Sequence, residues 1–437
     1  MDGLLELIHS LHQGSQPLPE PVQAQARRLC LDTWACVLAG RQDPTVVTLE
    51  HTLSRQDSGR ACFPKGPGLS AGSSALLAAT AACWDEACEG HAGAHGRPGV
   101  AVFAALFSLA HQHRLEDWLR AYTLGYEVGA RAGSMLRIRT GMHVDGNWPA
   151  LGAAAAVACL MGLTPTHIAQ AVNAAACQLP MSLYWPVRHG ANIRNTYLGH
   201  SAQLGHMAAM TTASGLQAPS DASSAYAQVA LGLEHLQWPG FDHYEMMSAY
   251  IKPFAAVRHV HYGATCAHVL RTRVDPARIR TIRLRIYQEA VTYCGNRSPT
   301  VPLQAQFSLS FGLAAMMTHG RLDPSVYQPP LFNDPLLHQL ESQVEIEVDA
   351  EWSARGQRGA CLHITTDDGQ THTHEVTAVA GDANCPLSDE ALINKYLAYA
   401  VPTLGQDLAK QHLQFWLEGS TNRPMSDIFS SAPLETV

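Results

Sequence analysis

Four stretches of this 437-residue chain carry side chains of the kinds from which an active site is built. The first sets Cys83, Cys88, His91 and His95 at C-x4-C-x2-H-x3-H spacing, four zinc ligands by type. That spacing matches none of the common zinc patterns, and a chain this long needs no metal to fold, so no metal is expected. The surrounding residues 89–99 (EGHAGAHGRPG) read instead as a flexible glycine-rich loop carrying His91, His95 and Arg97. Glycines let a backbone approach a ligand, while His and Arg bind a carboxylate and His moves a proton. A solvated surface loop is the plainer alternative. The second stretch places His143 directly before an alanine-rich helix, where it can exchange protons; a structural histidine is its alternative. In the third, residues 188–195 lead to Gly199-His200-Ser201, and Arg194 offers a forked clamp for a carboxylate, or a surface or interface salt bridge. The fourth is Lys252-Pro253-Phe254 followed by Arg258-His259-Val260-His261-Tyr262 at a change of character in the chain. Cations in a hinge suit anion binding, against the alternative of an interdomain ion pair.

The elements that must position these groups fall into two kinds. Residues 21–40 open on proline, close on glycine and space their apolar residues as a helix does. Further helices are expected at 73–83, 100–110, 118–135, 151–161, 165–177 and 199–214, with Thr164 as an N-cap before Pro165. Beyond Lys252 the pattern shifts. TIRLRI (281–286) and VEIEV (344–348) alternate like strands, and 361–366 and 371–376 flank a hairpin turn at 367–370. Helices are expected at 263–270 and 308–317, and the tail from Ser388 returns to helix. The expected fold is therefore mainly α: a large helical domain from 1–252 and 386–437, and a smaller α+β lid domain from 253–385. A cleft between them is the natural place for a small-molecule site.

Composition narrows the functions. Hydrophobic residues form 46% of the chain and charged residues 15%, so a large core is expected, with some surface covered by self-association. The net charge of −8 and the lack of a basic run leave nucleic-acid binding without a footprint. No apolar run reaches membrane-spanning length, and the opening MDGLLE lacks a signal peptide's basic start. Eleven scattered cysteines without a CxxC read as reduced thiols, and the expected compartment is the cytoplasm. No dinucleotide fingerprint, P-loop, GxSxG or HExxH occurs.

Taken in order, these segments resemble the MmgE/PrpD superfamily, which includes 2-methylcitrate dehydratase, cis-aconitate decarboxylase and iminodisuccinate epimerase. The resemblance rests on Leu31-Asp32 through Gly40, Glu89-Gly90-His91 through Arg97-Pro98-Gly99, and Gly125-Tyr126-Glu127. It continues through Met142-His143, the 194–202 segment, Lys252-Pro253-Phe254 with Arg258-His259, Gln306-Phe307-Ser308 and 384–388. The resemblance implies a helical domain with a lid, a homodimer, no metal or organic cofactor, and proton abstraction beside a carboxylate of a small substrate. His143, His91, His95 and Lys252 are then the catalytic candidates, and Arg194, Arg97, Arg258 and His200 the substrate-binding ones.

The chain also departs from the family pattern. Glu86, Cys88 and Glu89 stand where dehydratases and decarboxylases carry paired aspartates, and Arg97 replaces the histidine of a His-Pro motif. Arg194 replaces a lysine, Phe311 a tyrosine, and Val257 a decarboxylase-type histidine. These departures weaken 2-methylcitrate or cis-aconitate as the expected substrate, and the arginine at 194 is similar to what epimerase-like members show. The leading reading is epimerase or lyase chemistry on a di- or tricarboxylate or a related amino-acid adduct. A 2-methylcitrate-type dehydratase and a catalytically silent carboxylate-binding homologue are the alternatives.

Overall fold

The structure, a computed structural model, describes residues 3–12, 16–234 and 236–429. Its larger part is a packed set of helices. Helix α1 (Glu20–Gly40) starts with Pro21 in its first turn and ends where it crosses α2 (Ala71–Trp84). A Cβ on Gly40 would lie 2.0 Å from the Ala81 carbonyl oxygen, so only glycine permits that crossing. Ser70 caps α2 by accepting the Ser73 N–H. Next come α3 (Pro98–Phe107), α4 (Leu115–Met135) and the alanine-rich α5 (Pro149–Leu160). A Cβ on Gly152 of α5 would meet the Gly125 carbonyl of α4 at 2.6 Å. Small residues thus bring α4 and α5 into close register and hold the loop between them, which carries His143. Helices α6 (Pro165–Ala176, capped by Thr164) and α7 (Tyr197–Ala213) complete this layer.

The second region begins with α8 (Arg258–Arg271) and contains α9 (Leu309–His319) against it. Strands β1 (Ile279–Tyr287), β2 (Val344–Asp349), β3 (Ala360–Thr366) and β4 (Thr371–Val376) form one sheet in the order β2-β1-β3-β4. β1 runs parallel to β2 and antiparallel to β3, with Leu284 opposite both Ile346 and Leu362. Ile282, Leu284 and Ile286 turn into the core while Thr281 and Arg283 face water, the alternation that a half-covered sheet requires. Helices α10 (Asp389–Leu404) and α11 (Gln406–Leu417) return to α1, as expected for the tail. Among the described residues no helix is long and apolar enough to cross a membrane.

The mainly helical fold with a smaller mixed region is as expected, with three local differences. Helix α8 starts at Arg258, five residues before the expected 263, so His259 and His261 sit in its first turn. The helical region contains two short antiparallel pairs, 61–62 with 68–69 and Gly90–His91 with Ala249–Tyr250. The second pair changes the reading of residues 89–99, which is no flexible loop. Glu89, Ala94, His91 and Arg97 are all buried, because the segment is pinned on one side by this pair and on the other by α3.

Candidate active site

Where the two regions meet, a cavity of about 430 Å³ collects the charged residues singled out by the sequence. His91, His95, Arg97, His143, Arg194, Lys252 and Arg258 all line it. His200 does not: it is exposed on α7, on the same outward stripe as Met207 and Met210.

The inner wall is organised by two buried carboxylates. Glu86 Oε2 pairs with Arg194 Nη1 at 2.8 Å and accepts from Arg97 Nη1 at 3.2 Å, while Oε1 accepts from Lys252 Nζ at 2.8 Å. Burial alone would raise the Glu86 carboxyl, but Arg194, Arg97 and Lys252 hold it well below the usual carboxylate range. Asp145 takes the other side of both guanidiniums, pairing with Arg97 Nη2 and lying 3.4 Å from Arg194 Nη2. Burial is likewise outweighed there by Arg97, His143 and Arg194, so Asp145 stays ionised. Glu86 itself has φ +52°, as His95 has φ +55°, left-handed conformations that side chains rarely adopt and that concentrate at functional sites.

His143 hangs from the loop between α4 and α5, its ring 5.7 Å from and nearly parallel to Tyr184. Its Nδ1 accepts the Asp145 N–H at 3.2 Å, and its Nε2 faces the Nε–H of Arg194 at 3.3 Å. Both ring nitrogens thus face donors; the neutral imidazole, with one lone pair, accepts from one of them, and an imidazolium, with none, from neither. Burial lowers the His143 pKa to about 4, helped by Arg194 and Arg97 and opposed by Asp145. At neutral pH it is an uncharged base beside fixed positive charge.

Lys252 is held from behind. Its Nζ also donates to the Glu86 carbonyl at 2.8 Å, and its own carbonyl accepts from Lys395 Nζ of α10 at 2.9 Å. Lys395 pairs with buried Asp32 of α1 and donates to the Ala87 carbonyl, so three distant segments meet under the inner wall. Arg258 faces the cavity but reaches back to the Val379 and Ala380 carbonyls and Asp382, lying over the Tyr250 ring. His91 is occupied as well: Nδ1 accepts the Ala94 N–H and Nε2 lies 3.3 Å from the Glu245 carboxylate. His95, exposed at the cavity's edge and with its pKa lowered by partial desolvation and by Arg137, is the more available of the two.

The zinc-like quartet is not used as one. Cys88 Sγ accepts from Arg97 Nη1 at 3.3 Å, and among the described residues no three His, Cys, Asp or Glu side chains group as metal ligands. A hydrogen bond from Cys83, against burial and with Arg97 assisting, lowers the Cys88 pKa to about 6. Phe311 lies outside the cavity, stacked on Tyr327 and against Phe332 in the core. The phenylalanine at the site is Phe307, over which Arg194 lies at 5.2 Å, and phenols come from Tyr184, Tyr250 and Tyr293. Arg137, Glu289 and Arg358 also line the cavity and were invisible in the sequence, since none stands in a motif. Only their position at a helix end, in a helix first turn and before an edge of the hairpin brings them there.

The MmgE/PrpD N-terminal domain model matches residues 7–231 and the C-terminal domain model residues 254–416. A cis-aconitate decarboxylase of Aspergillus terreus is 25% identical over 467 residues, covering 93% of this chain and 91% of that protein. The cis-aconitate decarboxylase of Homo sapiens is 25% identical over 311 residues, 67% of this chain and 63% of its own.

Proposed function

The chain belongs to the MmgE/PrpD family, and from that premise we propose that it is a cofactor-independent enzyme that removes a proton from the carbon beside a carboxylate of a small di- or tricarboxylate. His143 is the base and Lys252, with the other cations of the inner wall, holds the carboxylate as charge develops on it. The observation that carries this reading is an uncharged, buried His143 facing a cavity whose inner wall carries Arg97, Arg194 and Lys252. Fixed positive charge in a water-poor site stabilises an enolate as it forms, the largest contribution such a site can make. His95, on the wall of the same cavity, is the candidate for returning a proton or protonating a leaving group.

Reprotonation on the opposite face gives an epimerase; loss of CO2 or of a β-hydroxyl gives a lyase. The relatives named as cis-aconitate decarboxylases support the lyase branch. The arginine at 194, which does not give up its proton, supports epimerase chemistry carried by histidines. Incubation in D2O with a panel of small carboxylates, followed by NMR, separates the branches: exchange without net conversion marks an epimerase, and loss of CO2 or water a lyase. Binding of carboxylates without exchange in any of them leaves only a silent carboxylate-binding homologue.

A homodimer forms part of the proposal. Met207 and Met210 on α7, with Ile193, Leu183 and Trp185, are exposed apolar side chains of the kind that self-association covers. Light scattering on the purified chain tests it, and a monomer at micromolar concentration would refute it.

A further inference from the structure

The inner cations are committed to the protein's own groups. Arg194 directs Nη1 to Glu86 and Asn195, Nη2 to Asp145 and Nε to His143. Arg97 is taken by Glu86, Asp145 and Cys88, and Arg258 by Asp382 and two carbonyls. Lys252 has two of its contacts on Glu86. The arginines named by the sequence are therefore positioning groups, which hold Glu86, Asp145 and His143 in place.

The far end of the cavity is different. Arg137 lines it, is exposed, and makes no ion pair or side-chain hydrogen bond among the described residues. It follows directly on α4 and is fixed there by its N–H bond to the Met135 carbonyl and by the buried Leu136. Arg358 comes from the other region, just before β3, and is half-buried with Nη2 on Glu289 Oε2 at 3.2 Å. Both guanidiniums lie close enough to His95 to disfavour its charged form. With one carboxylate between two guanidiniums, this end keeps a net positive charge, supplied by one cation from each side of the cleft.

We infer that Arg137, with Arg358 opposite, receives a second carboxylate of the substrate, so that the site selects dicarboxylates and larger acids over monocarboxylates. This rests on the reading of the cavity as a carboxylate site with its first anchor at Lys252. Arg137 and Arg358 determine specificity without touching the reacting carbon, and a carboxylate shared between them would draw the two regions together over His143.

Isothermal titration of the full-length chain with propionate, succinate and tricarballylate, at fixed ionic strength, tests it. The wild type should bind succinate and tricarballylate at least ~10-fold more tightly than propionate. Arg137→Gln should remove that advantage and leave propionate binding unchanged. Arg358→Gln should act in the same direction, and Arg139→Gln, an exposed neighbour outside the cavity, should change nothing. Equal losses for propionate and succinate in Arg137→Gln, or no loss for either, would overturn the inference alone, as would a wild type that binds all three alike. A wild type that binds none of the three would overturn the carboxylate reading with it. Arg137 is exposed, so its variant folds whatever becomes of Arg358→Gln.

Discussion

The Nε of Arg194 donates to Nε2 of His143 across 3.3 Å, so the proposed base and the guanidinium beside it form one unit. Burial keeps the ring uncharged and the guanidinium assists, while Asp145, which touches both, opposes them. A substrate carboxylate arriving in the cavity adds negative charge and must shift that balance towards the imidazolium.

The pH profile should therefore show two different acid limbs. In kcat/KM, which reports the free enzyme, activity should fall as pH drops through about 4, where His143 takes up its proton. In kcat, which reports the complex, the limb should lie higher because the bound anion raises the His143 pKa. His143→Gln should lower proton exchange with solvent by ~100-fold or more while ligand binding survives. A common acid limb near 6.5 in both parameters would show that His143 is not the titrating base.

Glu86 is the counter-charge for three buried cations, and removing it should be costly. Glu86→Gln should destabilise the fold by about 3–5 kcal/mol, read as a lower urea midpoint, because Arg97, Arg194 and Lys252 lose a shared partner. Succinate should then raise the melting temperature of the variant more than that of the wild type, since an external carboxylate supplies the negative charge that the amide lacks. An unchanged midpoint would mean that Asp145 alone neutralises the wall.

Much of this arrangement was legible in the sequence, and what was not has a physical reason. The helical periodicity, the Thr164-Pro165 start and the 367–370 hairpin were local signals, and the structure carries each of them. The cluster of His143, Arg97, Arg194 and Lys252 emerged because each residue stands in its own motif, in family order. What a motif does not encode is which groups occupy one another. Arg97 and Arg194 read as open clamps, yet the structure closes them on Glu86 and Asp145. Arg137, Glu289 and Arg358 reach the cavity only through the crossing of the two regions, which no single segment records.

Phe311 shows the same limit from the other side. The family pattern places a tyrosine near this position, but the ring is fully buried between Tyr327 and Phe332, away from the cavity. Phe311→Tyr should leave kcat unchanged and cost roughly 1–3 kcal/mol, because the new hydroxyl enters the core without a water to replace. A gain in kcat, with stability intact, would place the ring nearer the chemistry than the structure does.

Glu89 supplies a prediction about stability alone. Its carboxyl is fully buried at the start of α3, with Oε1 accepting the Gly99 N–H at 2.9 Å and Tyr126 Oη 3.4 Å from Oε2. Burial pushes its pKa up to about 8, with Cys88 adding and the Gly99 N–H opposing. The folded chain therefore keeps a proton here that the unfolded chain releases near the ordinary 4.5. Its stabilising contribution is complete below that value and is lost as pH rises through about 8, at ~1.4 kcal/mol per unit of displacement. Glu89→Gln has nearly the same shape and does not titrate, so the stability difference between wild type and variant should shift in favour of the variant from pH 5 to pH 9. Urea midpoints at pH 5, 7 and 9 measure it. A difference that stays constant across the three would mean that Glu89 is already ionised at pH 5 and that the Gly99 N–H, at the head of α3, outweighs its burial.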